Sequence, residues 1–334
     1  MPRGVFGETL EAMTSWGNTF DRARALHRPL MVLAGAMAVL LVASAWGLLV
    51  DDRTLVNAPI WAKPFKFAVS VGLYALTLAW LLSLLTRGRR VGWWLGTVFA
   101  VGIGADMTML VWQVIFRGRT LHFNQATPAD QAINNAVATG AFTAWGMTAA
   151  VVVLLMFQKL PDRALAASLR WGTALATVGL GLALLMFSPT PAQQAVWAAG
   201  GKPSSVGGHT VGLADGGPGL PLLGWSTAGG DLRIPHFVGI HAIQALPLLA
   251  LGLAALARRY PVLSSEVVRR RLVWTGAAGY AGLMALVTWQ ALRGQSIVRP
   301  DFWTLAAAAG LIAVVAAGVA LSLRPRKVFA LTEF

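Results

Sequence analysis

The chain has 334 residues, of which 56% are hydrophobic and only 12% are charged, about half the charged fraction of an ordinary soluble domain. This composition excludes a typical soluble enzyme and favours a protein embedded in a lipid bilayer. The net charge of +14 follows the pattern of membrane topology described below, so no nucleic-acid partner is expected. The absence of cysteine excludes disulfides, thiolate metal ligands and cysteine nucleophiles.

Apolar runs of about 20 residues recur along the chain, each long enough to cross a hydrocarbon core of about 30 Å. Backbone groups in lipid must be satisfied within each segment, and no strand-like alternation competes, so the runs predict helices. We therefore predict an all-α, polytopic integral membrane protein with eight transmembrane helices. Predicted spans 1 to 8 lie near residues 30–50, 65–85, 92–115, 134–157, 166–187, 236–257, 272–292 and 303–323.

Basic residues are distributed unevenly between the two sides of this predicted bundle. With the N-terminus inside, 18 of the 27 Lys and Arg residues fall on inner segments and the other 9 on outer ones. The positive-inside rule expects such an excess in short cytoplasmic loops. We predict a plasma-membrane location with both termini cytoplasmic.

Three regions follow from this topology. Residues 1–28 form a cytoplasmic N-terminal segment, either a short interfacial helix or a loosely held tail, residues 29–323 the eight-helix membrane domain, and residues 324–334 a cytoplasmic tail. The membrane domain contains one long outer loop, 189–235, which is rich in glycine and proline. Because this loop is poor in charge and contains large apolar residues, a lid over the outer face is favoured over a floppy connector.

A faint internal repeat relates spans 1–4 to spans 5–8. The Trp-Gln and Arg-Gly pairs within 112–118 recur within 289–294, and the Pro-Phe-Lys-Phe entry at 64–67 corresponds to Pro-His-Phe at 235–237. Four crossings per copy preserve orientation, so the copies would be parallel four-helix repeats about an axis along the membrane normal. Chance similarity between apolar segments is the alternative.

Span 3 carries a carboxylate within an apolar helix. Asp106, Gln113 and Arg117 are spaced by seven and four residues, which places them within about 20° of one line. A carboxylate at that depth costs roughly 2.5–3.5 kcal/mol, so it should face the bundle interior with a partner or a proton. We predict Asp106, Arg117, Lys66 and Arg233 as candidate catalytic or ligand-coupling residues. Interhelical packing by Asp106 and snorkelling by Lys66 are the alternatives.

Histidines define a second candidate site on the predicted outer side. His122 follows span 3, whereas His236 and His241 open span 6 shortly after Asp231. Haem b held between helices would use His241 together with His122 or His236. A zinc or copper ion would instead use His122, His236 and His241, with Asp231 as a fourth ligand or hydrogen-bonding partner.

The histidine spacing matches no specific metal signature. His236 and His241 are about 140° apart on a regular helix, so both can face one ligand only if the first turn is irregular. Interfacial hydrogen bonding is the alternative role. Arg117 and Arg233 would give the site a positive rim that attracts an anionic head group or substrate.

Three functions remain open from the sequence. The clustering of histidines beside the long loop favours a metal- or haem-dependent membrane enzyme or electron-transfer protein. Discontinuous helices would instead favour a transporter or binding protein for a small molecule or lipid, which uses Asp106 and Lys66. The third is a non-catalytic accessory subunit. The expected partners are the lipid bilayer and an anionic small molecule, quinone or lipid at the outer face, and the oligomeric state is not determined by the sequence.

Overall fold

The computed structural model describes residues 26–324. This part of the chain is predominantly helical and contains seven helices long and apolar enough to cross a membrane, or eight if one bent helix pair counts as a span. These helices indicate a multi-pass membrane protein, as predicted. The proposed interfacial helix before residue 26 and the tail after residue 324 lie outside the described residues.

The elements follow the predicted spans closely, with additional short segments in the connections. In chain order they are α1 (Arg28–Val50), β1 (Thr54–Leu55), β2 (Ala58–Pro59), α2 (Ala62–Ser83), α3 (Arg89–Val111) with a π-helical turn (Trp112–Phe116), α4 (Pro128–Met156), α5 (Arg163–Gly181) with a 3-10 turn (Leu182–Phe187), α6 (Pro191–Ala198), β3 (Thr210–Val211), β4 (Gly230–Asp231), α7 (Arg233–Ile240), α8 (Ala242–Leu256), a 3-10 turn (Pro261–Ser264), α9 (Glu266–Leu292) and α10 (Phe302–Leu323).

Side-chain caps explain where several helices begin. Thr127 accepts a hydrogen bond from the Asp130 N–H at 3.2 Å, and Pro128 occupies the first turn of α4. Asp162 and Asp301 accept from backbone N–H groups at the starts of α5 and α10. Such caps satisfy donors that have no partner within the helix, and proline loses no hydrogen bond there.

Two short strand pairs occupy connections that the all-α prediction treated as irregular. β1 and β2 are joined by Val56 and Asn57, whose φ angles of 51° and 58° make a tight turn that suits the twist of paired strands. β3 and β4 pair with Thr210 opposite Asp231, although residues 212–229 intervene. Each strand has only two residues, too few for an alternating pattern to be visible in the sequence.

Two compact units divide the described chain. Unit 1 contains residues up to 158 together with 187–208 and 215–224, and unit 2 contains 159–186, 209–214 and the residues from 225 onward. In unit 1, apolar side chains at the end of α3 pack on Ile60 and Val137. In unit 2, Leu175, Ala242, Leu246, Ala277 and Met284 form a core around the start of α8.

The long loop is fastened to unit 1 by backbone hydrogen bonds. Gln125 N–H donates to the Ser204 carbonyl at 2.8 Å, and Val206 N–H donates to the Phe123 carbonyl at 3.0 Å. Asn57 in the β1–β2 turn donates to the Gly216 carbonyl at 2.6 Å. These segments of the loop are therefore packed against the connections 51–61 and 117–127.

Candidate functional site

The π-helical turn at the end of α3 carries two polar side chains, Gln113 and Arg117, next to the connection 117–127. Arg117 N–H donates to the Trp112 carbonyl, five residues earlier, at 3.1 Å. The Arg117 guanidinium donates to Gln113 Oε1 at 2.7 Å, and the Gln113 side chain is completely buried. Such turns are rare and frequently occur at functional sites.

Asp130 is the centre of the polar network at this end of unit 1. Its buried carboxylate accepts hydrogen bonds from Gln113 Nε2 at 2.8 Å and Thr127 Oγ1 at 2.7 Å. Two guanidinium groups, those of Arg117 and Arg119, form ion pairs with it. Arg117 was predicted from the sequence and Asp130 was not, although an Asp three residues after Thr127 in Thr-Pro-Ala-Asp is a capping signal.

Asp106 does not share in that network. No hydrogen-bond partner of its half-buried carboxyl group lies among residues 26–324, and the group packs on Gly140 of α4 so closely that a β-carbon there would collide with it. The neighbouring hydroxyls of α4 are engaged elsewhere, since Thr139 and Thr143 donate to carbonyls of their own helix. Asp106 therefore faces a helix contact rather than the Arg117 cluster.

The first turns of α2 carry two lysines, of which Lys66 was a predicted site residue. Lys63 Nζ lies 3.2 Å from His122 Nδ1, and Lys66 Nζ donates to the Leu223 carbonyl in the long loop at 2.7 Å. The Phe67 ring lies 6.0 Å from the His122 ring. Lys66 and His122 thus both belong to the part of unit 1 that the loop contacts.

In unit 2, the apolar segment that begins at Arg233 forms a bent pair of helices, either a broken span or a re-entrant loop. Helices α7 and α8 meet at His241 with a bend of 42°. Tyr280 on α9 donates its hydroxyl to the Val238 carbonyl at 2.6 Å, so a polar side chain supports the backbone just before the bend. Pro247 removes a further backbone donor within α8.

The two histidines of this bent helix pair have different partners. His236 Nδ1 lies 2.8 Å from the Gly179 carbonyl of α5, and His241 Nδ1 lies 3.2 Å from Gln244 Oε1. The Phe237 ring packs edge-on against His241 at 4.4 Å. The break changes the regular geometry that the 140° estimate assumed, because the helix axis turns at His241 itself.

Asp231, predicted as a fourth metal ligand or as a hydrogen-bonding partner of one, lies just before the bent helix pair. Its buried carboxylate pairs with Arg233 at 2.6 Å and accepts from Ser226 N–H at 2.8 Å. Between residues 26 and 324, no group of three or more His, Asp or Glu side chains is arranged to hold one metal ion. The haem and metal sites remain predictions from the sequence.

The end of α9 in unit 2 resembles the end of α3 in its buried glutamine and in its arginine–aspartate ion pair, although it has no π-helical turn. Gln290 is buried and donates to the Ser296 carbonyl at 3.0 Å, while Arg293 pairs with Asp301 at the start of α10. Arg293 N–H donates to the Trp289 carbonyl at 3.1 Å. A glycine with positive φ follows the arginine in both units, Gly118 at 61° and Gly294 at 71°.

No protein-family model, curated protein or solved structure matches the chain. The chemistry of its own residues is therefore the basis for a functional proposal.

Proposed function

We propose that this chain is a membrane transporter for a small solute, and that the bent span α7–α8 is its moving element. The observation that carries the proposal is the 42° break at His241. Discontinuous spans form the binding elements of many secondary transporters, because a break presents backbone and side-chain polar groups within the membrane. His241 lies about 12 Å along the helix from Arg233 at 1.5 Å per residue, which is inside the hydrocarbon region.

The residues around the break have the chemistry of a solute site. His241 and Gln244 are both partly exposed, and they provide an imidazole and an amide on adjacent turns. The Phe237 ring packs against His241, and the Trp225 ring lies on Phe237 with the two centroids 5.5 Å apart. A few polar groups among aromatic side chains are typical of small-molecule sites.

We further propose that the transporter consists of two parallel four-span repeats, the first in unit 1 and the second in unit 2. The Trp-Gln and Arg-Gly matches of the sequence are supported by equivalent hydrogen bonds. In both units a tryptophan carbonyl accepts from the arginine N–H, from Arg117 to Trp112 and from Arg293 to Trp289. The backbone carbonyl of the glutamine that follows each tryptophan also accepts a hydrogen bond. Gln113 accepts from Arg119 N–H, and Gln290 accepts from Gln295 N–H.

The π-helical turn supports the same repeat. Five residues separate Trp112 from Arg117, but only four separate Trp289 from Arg293. A turn closed by a bond from residue i to i+5 accommodates one residue more than an α-helical turn. The π turn is thus what a one-residue insertion in the first copy would produce.

The start of the fourth span in each copy also supports the repeat. Arg117 forms an ion pair with Asp130 in the first turn of α4, and the Thr127 hydroxyl caps that helix. Arg293 forms an ion pair with Asp301, whose carboxylate caps α10, and Thr304 follows three residues later. In each copy the cap and the residue three positions later are one hydroxyl and one carboxylate. The hydroxyl comes first in unit 1 (Thr127, Asp130), and the carboxylate comes first in unit 2 (Asp301, Thr304).

The sequence-based topology completes the proposal. The excess of basic residues on one side supports cytoplasmic termini in a plasma membrane and an outer position for the long loop. Asp106, at about 15 Å from Phe116 along the helix, would lie near the middle of the bilayer. An ionisable group at that depth is a natural coupling residue for a proton or cation.

Cysteine accessibility tests the transport proposal, because the natural chain contains no cysteine. A single cysteine in place of Gln244 should react with a membrane-impermeant thiol reagent added to either side of sealed vesicles, since alternating access opens the break to both. The control is Ile312→Cys on α10, an exposed apolar position that should stay unlabelled in lipid. Labelling of Gln244→Cys from one side only, or from neither, would contradict the proposal.

A further inference from the structure

We propose that the starts of α3 and α9 each bind the phosphate group of an anionic phospholipid, through two adjacent arginines and the tryptophan that follows them. The α3 lipid site consists of Arg89, Arg90 and Trp93 in unit 1, and the α9 lipid site consists of Arg270, Arg271 and Trp274 in unit 2. Neither site requires that the protein transports anything, because the test is lipid binding alone.

The first argument is the spacing of these residues along each helix. Both tryptophans come four residues after the first arginine and three residues after the second. At 100° per residue the tryptophan therefore lies between the two arginines, within about 60° of each. The two helices are also the third spans of the two proposed copies, so the same arrangement occurs at equivalent places in both units.

The second argument is position relative to the bilayer. Residues 89–116 and 266–292 are candidate membrane spans, so their first turns lie where an apolar span meets water. Trp93 and Trp274 expose 44% and 51% of their surface. Tryptophan is enriched at the depth of the lipid head groups, and an arginine one turn nearer to the water can reach the phosphate. The excess of basic residues assigns this side to the cytoplasm.

The third argument is the lack of an acidic partner within the protein. Between residues 26 and 324, none of the four guanidinium groups of these sites pairs with a carboxylate. The arginines that do form such pairs include Arg53, Arg117, Arg119, Arg233, Arg269 and Arg293. At the edge of a bilayer the lipid phosphate is the nearest counter-ion, and the planar guanidinium group binds phosphate through two parallel hydrogen bonds.

The fourth argument is that neighbouring side chains hold both tryptophans in place. In unit 1, the His27 ring lies 5.7 Å from the Trp93 ring, and its Nε2 lies 2.8 Å from the Trp93 carbonyl. In unit 2, Trp171 of α5 packs edge-on against Trp274 at 5.2 Å. Because the rings are already ordered, binding a lipid against them costs little conformational entropy.

The fifth argument favours a lipid over a soluble anion. Below the arginines of α3, the exposed side chains of Trp94, Val98 and Val101 continue along one face at spacings of four and three residues. On α9, the exposed residues Ala278 and Ala285 continue from Trp274 at spacings of four and seven. An acyl chain can lie along each of these apolar faces, whereas a free phosphate ion would contact the arginines alone.

The test is a lipid titration of the purified full-length chain in detergent, with bound lipids counted by native mass spectrometry. Phosphatidylglycerol and phosphatidylcholine are used separately, because both have a phosphate and two acyl chains but only the first has a net charge. The variants are two double substitutions, Arg89→Gln with Arg90→Gln and Arg270→Gln with Arg271→Gln. A third variant, Trp274→Ala, retains every arginine.

The matched control is Arg258→Gln with Arg259→Gln. It removes the same charge from two exposed positions between α8 and α9, where no tryptophan follows within four residues. Arg270→Lys with Arg271→Lys is a second control, which retains the charge of the α9 lipid site.

We expect the natural chain to bind two phosphatidylglycerol molecules more tightly than any phosphatidylcholine. Each double variant should weaken the binding of one of these two lipids by about thirtyfold. Trp274→Ala should weaken one of them by roughly fivefold, because the lipid loses its contact with the ring. Both controls should bind two.

Three results would overturn the proposal. The first is equal affinity for the two lipids, and the second is an equal loss in the Arg258 and Arg259 control, which would indicate diffuse attraction to basic residues. The third is unchanged binding in Trp274→Ala, which also decides the question for α9 if its arginine variant is not monodisperse on size exclusion. Loss of a lipid in only one of the two double variants would overturn the site in the other unit.

Discussion

At the scale of single residues, a carboxylate pairs with an arginine at the ends of both α3 and α9, but the two carboxylates differ in burial. Asp130 is completely buried and its oxygens are bound by an amide, a hydroxyl and two guanidinium groups. Asp301 has the equivalent role in unit 2, but it and Arg293 are each about one-third exposed. A buried ion pair leaves an uncompensated charge when one partner is removed, whereas an exposed pair is screened by water.

Asp130→Asn should therefore destabilise the protein more than Asp301→Asn. We expect a loss of about 2–3 kcal/mol for Asp130→Asn, below the range for fully buried pairs because Arg117 and Arg119 are partly exposed. Thermal unfolding followed by size exclusion in detergent compares the two variants. Equal losses would show that burial does not distinguish the two carboxylates.

The pH dependence of stability should include a contribution from Asp51. Hydrogen bonds from Arg53 and then Trp61 hold the pKa of the Asp51 carboxyl well below its usual value. A lowered folded-state pKa stabilises the fold above the unfolded value of about 3.9, and this stabilisation is lost as the pH falls towards the folded value. Asp51→Asn should be less stable than the natural chain at about pH 7, and the difference should shrink by about pH 3. A difference that is constant with pH would contradict this role.

At the scale of elements, the bent helix pair α7–α8 is packed through two close helix contacts in unit 2. Gly179 of α5 and Gly239 of α7 approach backbone to backbone, with no space for a β-carbon on either. Gly172 of α5 lies opposite the break, where a β-carbon would be 2.8 Å from the Ala242 carbonyl. This packing positions His236 to reach the Gly179 carbonyl and lets α5 support the bend.

Gly179→Ala should disrupt this crossing, because neither backbone can move without displacing a whole helix. We expect a loss of about 3 kcal/mol, at the upper end for overpacking. The matched control is Gly252→Ala in α8, which has open space around it and should be neutral or gain up to about 1 kcal/mol from helix propensity. Unfolding midpoints of the two variants provide the comparison, and a neutral Gly179→Ala would refute the close crossing.

Deletion of Phe116 tests the origin of the π turn. The deletion makes the end of α3 as long as the end of α9, and the Phe116 side chain is mostly exposed. We expect the chain to re-form an α-helical turn with Arg117 still beside Asp130, so that the thermal midpoint falls by only a few degrees, about 1 kcal/mol. Deletion of Ala141, exposed within regular α4, should be far worse because it rotates the fifteen helical residues that follow by about 100°. Equal damage from the two deletions would argue against an insertion.

The helices were predictable from the sequence, but their interruptions were not. Apolar length alone located the seven unbroken candidate spans and the bent helix pair to within about six residues, because the requirement to satisfy backbone groups in lipid leaves few alternatives. The break at His241 gave no clear sequence signal, since Pro247 lies six residues later. The bend is specified by contacts from other helices, such as those of Gly172 and Tyr280, which no local pattern reveals.

The candidate sites were predictable only in part. Residue type identified Lys66, Arg117 and His241 as unusual in an apolar chain, and spacing correctly placed Gln113 beside Arg117. Spacing could not separate Asp106 from that pair. The partner of Arg117 comes from the next helix, and a non-local ion pair leaves no periodic trace.

At the scale of the whole molecule, the proposed transport function depends on whether the bent pair crosses the membrane. Seven helices are unbroken candidates, and α7–α8 is either an eighth span or a re-entrant loop. Eight spans give two copies of four with the same orientation, and they place residues 257–265 on the opposite side from the long loop. A re-entrant pair would place both connections on one side and would remove the parallel repeat.

The most direct test is the sidedness of two single cysteines, at Ser204 in the long loop and at Val262 between α8 and α9, both exposed positions. A membrane-impermeant maleimide should label Ser204→Cys on intact cells, and should label Val262→Cys only after permeabilisation. This result makes α7–α8 a complete, discontinuous span. Labelling of both cysteines from the same side would make it a re-entrant loop and would contradict both the repeat and the proposed moving element.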